Sequence, residues 1–154
     1  MTIINSKSIS LTFRGFDLSP SDVELIVGRA SSSTGTKGKK TKPQVTTILP
    51  RSFVQFEIEL PNNCCIDDMV PQLIVFLGGI DNICRARDQI QPEFLEIDIT
   101  LPIKGSDEQD DGYFSLEVLR DINTLRATLG LSFLWKEGYS ARVIEFLDSE
   151  QVES

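Results

Sequence analysis

Histidine is missing from this chain of 154 residues. Its absence removes the imidazole base of Ser-His-Asp and Cys-His catalysis, and with it the commonest nitrogen ligand of zinc. Cysteine is scarce: Cys64 and Cys65 are adjacent, and Cys84 stands apart. Three thiols without zinc-knuckle spacing make neither a metal site nor a disulfide framework, and neighbouring residues bridge poorly. Reduced thiols, buried or near helix ends, are expected, and with them a cytoplasmic chain. Long apolar runs are also missing. The longest, LIVFLGGI (73–80), falls well short of the ~18 residues of a membrane span. MTIINSKSIS has no charged region followed by an apolar core, so no secretory leader is expected.

Positive charge is in short supply: 15 Lys and Arg stand against 23 Asp and Glu, a net charge of −8. The imbalance is uneven, with residues 1–51 at +5 and residues 52–154 at −13. So acidic a body repels phosphate backbones, which argues against general nucleic-acid binding and favours a basic protein partner or none. Hydrophobic content of 40% is ordinary for a globular chain, and the length suits one domain with one core.

Periodicity supplies the elements. SISLTFRGF (8–16) alternates Ile9, Leu11 and Phe13 with Ser10, Thr12 and Arg14, the period of a half-buried strand. Ser19 before Pro20 caps a helix, PSDVELIVG, that stops at Gly28. Residues 29–50 have no hydrophobic period and are expected to form a mobile basic loop. SFVQFEIEL (52–60) alternates again. Asp67 or Asp68 then caps a helix through MVPQLIVFL, Gly78 and Gly79 interrupt it, and IDNICRARDQ resumes as a further helical segment. EFLEIDITLPI (93–103) is the clearest strand, and KGSDEQDDG (104–112) is a polar turn. Ser115 caps LEVLRDINTLRATL, where Val118, Ile122, Leu125 and Leu129 keep helical spacing until Gly130. LSFLW (131–135) is a last strand, SARVIEFL a short helix, and the tail frays from about residue 148. The expectation is a single α+β domain, β-α-β-α-(α)-β-α-β, with one sheet and its helices on one face.

Two surfaces carry the candidate chemistry. The first is the stretch with Lys37, Lys39, Lys40 and Lys42, a possible anion contact. It is not a P-loop. That motif would need glycine and a hydroxyl where Ser33 and Lys40 stand, and it would follow a strand rather than a helix. The second is the polar face of the sheet. Glu57 and Glu59 share one strand face, as do Phe94, Glu96 and Asp98. Paired-acid catalysis needs one desolvated carboxyl beside an ionised one, which amphipathic strand faces do not offer. The face is therefore either an ordinary wetted surface or a docking site for a basic protein. Like charges should not lie directly opposite across a ladder, so Glu57/Glu59 should avoid Glu96/Asp98, with Arg14 and Lys136 as neutralising neighbours. No catalytic, cofactor or metal-ligating residue is expected.

The turn and cap residues also resemble a known family. RGFDLSP, a short helix ending at Gly28, the Lys37-Gly38 pair and the late FSLEVLRDINTLRATLGLSF resemble the bacterial domain-of-unknown-function 4279 family. The likeness spans residues 8–135 and rests on Gly15, Asp17, Leu18, Pro20, Gly28, Phe114, Ser115, Leu116, Leu119, Leu129 and Gly130. Phe53 stands where the family usually has tryptophan. The resemblance implies a small single-domain protein without established catalytic residues. It also implies, for some members, a role as immunity proteins against bacterial toxins. A toxin-neutralising module is the function expected from it. A small-molecule or anion-binding module using the lysine loop is the alternative.

Overall fold

Alternating KSISLTFR forms the middle of the sheet because both of its edges find partners. A computed structural model of the chain describes residues 7–40, 42–44, 46–103 and 112–134. In chain order the elements are β1 (Lys7–Arg14), α1 (Pro20–Val27), β2 (Ser33–Gly35), β3 (Phe53–Leu60) and α2 (Ile66–Phe76), followed by α3 (Ile80–Ile90), β4 (Phe94–Pro102), α4 (Leu116–Leu125) and β5 (Thr128–Leu134). The five strands lie in the order β2-β3-β1-β4-β5. β1 runs antiparallel to both β3 and β4, β2 is antiparallel to β3, and β5 is parallel to β4. The result is an α+β domain with one mixed sheet.

The alternation sends Ile9, Leu11 and Phe13 to the helix side, in register with Ile99, Ile97 and Leu95 of β4. Val54, Phe56 and Leu60 of β3 join them, and the rings of Phe13 and Phe56 meet edge to face at 6.2 Å. Over this layer the helices lay Val23 and Val27, then Met69, Val70 and Leu73, then Ile83, Ala86 and Ile90, and finally Val118, Ile122 and Leu125. All belong to one core. Among the described residues the opposite sheet face carries no helix, as the sequence led us to expect.

Most of the expected helix ends hold. Ser19 Oγ accepts from the Asp22 amide, Gly28 closes α1 in the left-handed region, and Ser115 Oγ accepts from the Val118 amide. Gly78 and Gly79 separate α2 from α3. Three expectations need correction. Cys65, not Asp67 or Asp68, is the N-cap of α2; the two acids sit in its first turn, where the helix dipole favours them. Asp67 instead accepts the Ser115 amide at 2.7 Å and so ties α2 to α4.

The second correction lies in residues 29–50, which contain β2. Beyond β2, Gly38 donates to Leu49 and Leu49 to Lys39, followed by an antiparallel bridge between Lys40 and Ile48. The third concerns α4, which ends at Leu125 because Arg126 turns left-handed at φ 56°. Leu129 and Gly130 belong to β5, where Leu129 faces Ile97 across the ladder. The short helix expected over SARVIEFL, the tail, and most of the polar turn at 104–112 lie outside the described residues.

On the open face the small residues of β1 are enclosed by their longer neighbours. Thr12 is 1% exposed, yet among the described residues its hydroxyl has no hydrogen-bond partner. A buried hydroxyl left unsatisfied costs about 1–3 kcal/mol. Thr12→Val, nearly isosteric, is therefore expected to raise stability by about 1 kcal/mol in urea unfolding. Leu11→Ala, on the other face of the same strand, should lower it by about 2–5 kcal/mol.

Candidate functional site

Strand order decides what the polar face can be. β1 lies between β3 and β4, so Ser10 separates Glu57 from Asp98, and Thr12 separates Gln55 from Glu96. The carboxylates of the two strands therefore never meet directly across a ladder, which fulfils the expectation from like-charge repulsion. The face becomes a trough. Its floor is Ser8, Ser10 and Thr12; one wall is Gln55, Glu57 and Glu59; the other is Glu96, Asp98 and Thr100. Glu57 and Glu59 are exposed.

One end of the trough is closed by stacked cations. Arg14 Nε donates to Glu96 Oε1 at 2.7 Å, and its guanidinium lies 5.3 Å from the centre of the Phe53 ring. Beyond it, Arg51 covers Phe94 at 5.2 Å and pairs with Glu93 at 3.0 Å. Phe94 remains 45% exposed, so an apolar edge borders the acidic walls. Lys136, the other expected neutralising neighbour, lies outside the described residues.

Asp98 is the unusual carboxylate. Burial raises its pKa above the ordinary aspartate value, Glu96 on the same strand pushes the same way, and Arg14 opposes them. Its side chain leans over β5 at Gly130, where a Cβ would collide with Asp98 Oδ1. A side chain there would require the Asp98 carboxylate to shift.

The lysines are not gathered in the same way. The Lys37 amide donates to Ser52 Oγ at 2.9 Å, and Lys37 lines a cavity at the end of the sheet. All four lysines are exposed, and Lys39, Lys40 and Lys42 do not line that cavity. The three cysteines are free thiols; burial, with Asp68 nearby, pushes the Cys64 thiol up, away from a reactive thiolate. Among the described residues no group of three His, Cys, Asp or Glu is placed to hold a metal, and no helix is long and apolar enough to cross a membrane. Sequence reasoning missed the cavity beside Lys37, because its walls come from four separate segments.

No family model matches the chain. No curated protein matches it, and no solved structure does.

Because Asp98 binds its proton more tightly folded than unfolded, its contribution to stability is present at low pH and is lost as pH rises through the raised folded value. Asp98→Asn is therefore expected to melt higher than the parent at pH 7. The gain should vanish below about pH 4, where an ordinary aspartate is itself protonated. Thermal unfolding across this range tests it, and equal melting temperatures at pH 7 would contradict it.

Proposed function

We propose that the chain is a non-enzymatic binding module whose open sheet face docks a basic protein. The observation that carries this reading is the trough itself. Four carboxylates, Glu57, Glu59, Glu96 and Asp98, border a face that the described helices leave uncovered, and Arg14 is the single cation that the described strands present on it, since Lys7 of β1 lies on the helix side. Charge of one sign in a groove focuses potential and steers an oppositely charged partner. Exposed Phe94 at the rim supplies the apolar contact that such interfaces use for affinity.

A toxin-neutralising immunity protein is one module of this kind, and it is the role implied by the resemblance to the domain-of-unknown-function 4279 family. The reading rests on the face and not on the resemblance. The alternative, an anion site built from all four lysines, has less support, because only Lys37 lines the cavity.

Co-expression with candidate toxins from the same genome, scored as rescued growth, identifies the partner. The double reversal Glu57→Lys, Glu59→Lys changes only exposed side chains of β3 and should leave the fold intact. It is expected to abolish rescue and to weaken binding of the purified partner at least about tenfold at low salt, with the difference narrowing as salt rises. Rescue that survives reversal of all four acids would remove this face from the function.

A further inference from the structure

The cavity beside Lys37 offers a second, smaller site. It measures about 390 Å³, near the lower end of the range of about 300–1,000 Å³ for small-molecule pockets. Four segments meet there: the turn after β1, the loop at Lys37, the approach to β3 at residues 50–52, and the α3–β4 turn. Phe16, Ser52 and Ile90, all buried, form its inner surface.

The backbone around it is held firmly. The Gly15 amide donates to the Ser52 carbonyl at 2.8 Å, and the Glu93 amide to the Gly15 carbonyl at 2.9 Å. Gly15 has φ +78°, and a Cβ there would lie 2.9 Å from the Glu93 side chain, so glycine is required on both counts. Ser52 fixes Lys37 through its main-chain amide, which leaves the Lys37 ammonium out of that anchorage.

The charges decide the ligand. Arg51 and Glu93 neutralise one another at 3.0 Å. Asp17 and Lys37, both exposed, line the same cavity, yet they do not pair with each other, and neither side chain has a protein partner among the described residues, which leaves both open to a ligand. A simple anion would satisfy Lys37 and meet Asp17 as a like charge; a simple cation would do the reverse. We propose that this cavity binds a small zwitterion of the amino-acid class, its anionic group on Lys37 and its ammonium on Asp17. Gln89 and Gln91 offer neutral hydrogen bonds at the rim, and Phe16, Leu18 and Ile90 offer apolar surface to a ligand side chain.

The test is calorimetric titration of the full chain with free glycine, L-serine, L-leucine, L-glutamate, L-lysine and O-phosphoethanolamine. Acetate, inorganic phosphate, ethylamine and the N-acetyl amino acids serve as single-charge controls. At least one zwitterion is expected to bind in the millimolar range or tighter, with its N-acetyl form at least about tenfold weaker. Asp17→Asn and Lys37→Ala should each weaken that ligand about tenfold or more, while circular dichroism shows the fold unchanged. Glu57→Lys, on the acidic trough, should leave this binding untouched, which keeps the site separable from the docking face. The proposal is overturned if no zwitterion binds at about 10 mM. It is equally overturned if a single-charge control binds as well as the best zwitterion, or if Asp17→Asn has no effect.

Discussion

Everything in the domain depends on β1 being hydrogen-bonded along both edges. A central strand has no side on which its register can slip, because a shift of one residue would turn Ile9, Leu11 and Phe13 away from the helices against both neighbours at once. Its two faces therefore acquire fixed and opposite meanings. The odd positions are the deepest layer of the core, and the even positions are the floor of the open trough. Changing the parity of this one strand would remove the hydrophobic layer and the acidic site together.

The helix layer has its own fixed point in α3. The last carbonyls of a helix have no partner within it, and three other helices end near α3. Asn82 donates to Val27 at 3.0 Å and to Leu77 at 2.7 Å, Arg85 donates to Ile26 at 2.9 Å, and Arg87 donates to Thr124 at 2.9 Å. The C-terminal ends of α1, α2 and α4 are thus satisfied by side chains of one helix, with cations where the helix dipoles are negative. Arg29 adds a further tie, bonding the Phe76 carbonyl at 2.7 Å while its guanidinium lies 4.0 Å from the Phe76 ring centre. The sequence of α3, with DNICRARDQ at its centre, is mostly polar because one of its faces is occupied in this way.

Sequence periodicity makes three strands and the capped starts of α1 and α4 legible, since alternation and capping are local properties; the start of α2 is not, because Cys65 caps it without a side-chain hydrogen bond. β2 is not legible: Ser33, Thr34 and Gly35 have no apolar period, and only pairing with β3 makes them a strand. The end of α4 is ambiguous for a different reason. Leu129 lies four residues after Leu125, which suits a helix, and two before Leu131, which suits a strand. The choice falls to contacts with Ile97 and Ile99, some thirty residues earlier in sequence. The acidic face is legible strand by strand, and like-charge repulsion requires that its two acidic rows be kept apart. That β1 separates them is not legible, because strand order is a property of the whole chain. The zwitterion cavity has no local signature at all, since Asp17, Lys37 and Glu93 converge only through the turn at Gly15.

The acidity of the trough is also a consequence of where the cations went. Lys7, from the buried side of β1, donates to the Cys64 carbonyl. Arg29 and Arg85 donate to helix carbonyls, and Arg87 divides its donors between Thr124 and Asp88. A guanidinium on a carbonyl satisfies a helix end without cancelling a carboxylate. These basic side chains serve the helix layer, on the far side of the sheet from Glu57, Glu59 and Asp98. At a screening length of about 8 Å in physiological salt, their charge reaches the open face only weakly. Arg14 alone projects there from the described strands, already committed to Glu96 and Phe53. Among the described residues, the same allocation of cations that closes the helices thus leaves the sheet with an acidic groove in which carboxylates outnumber positive charges.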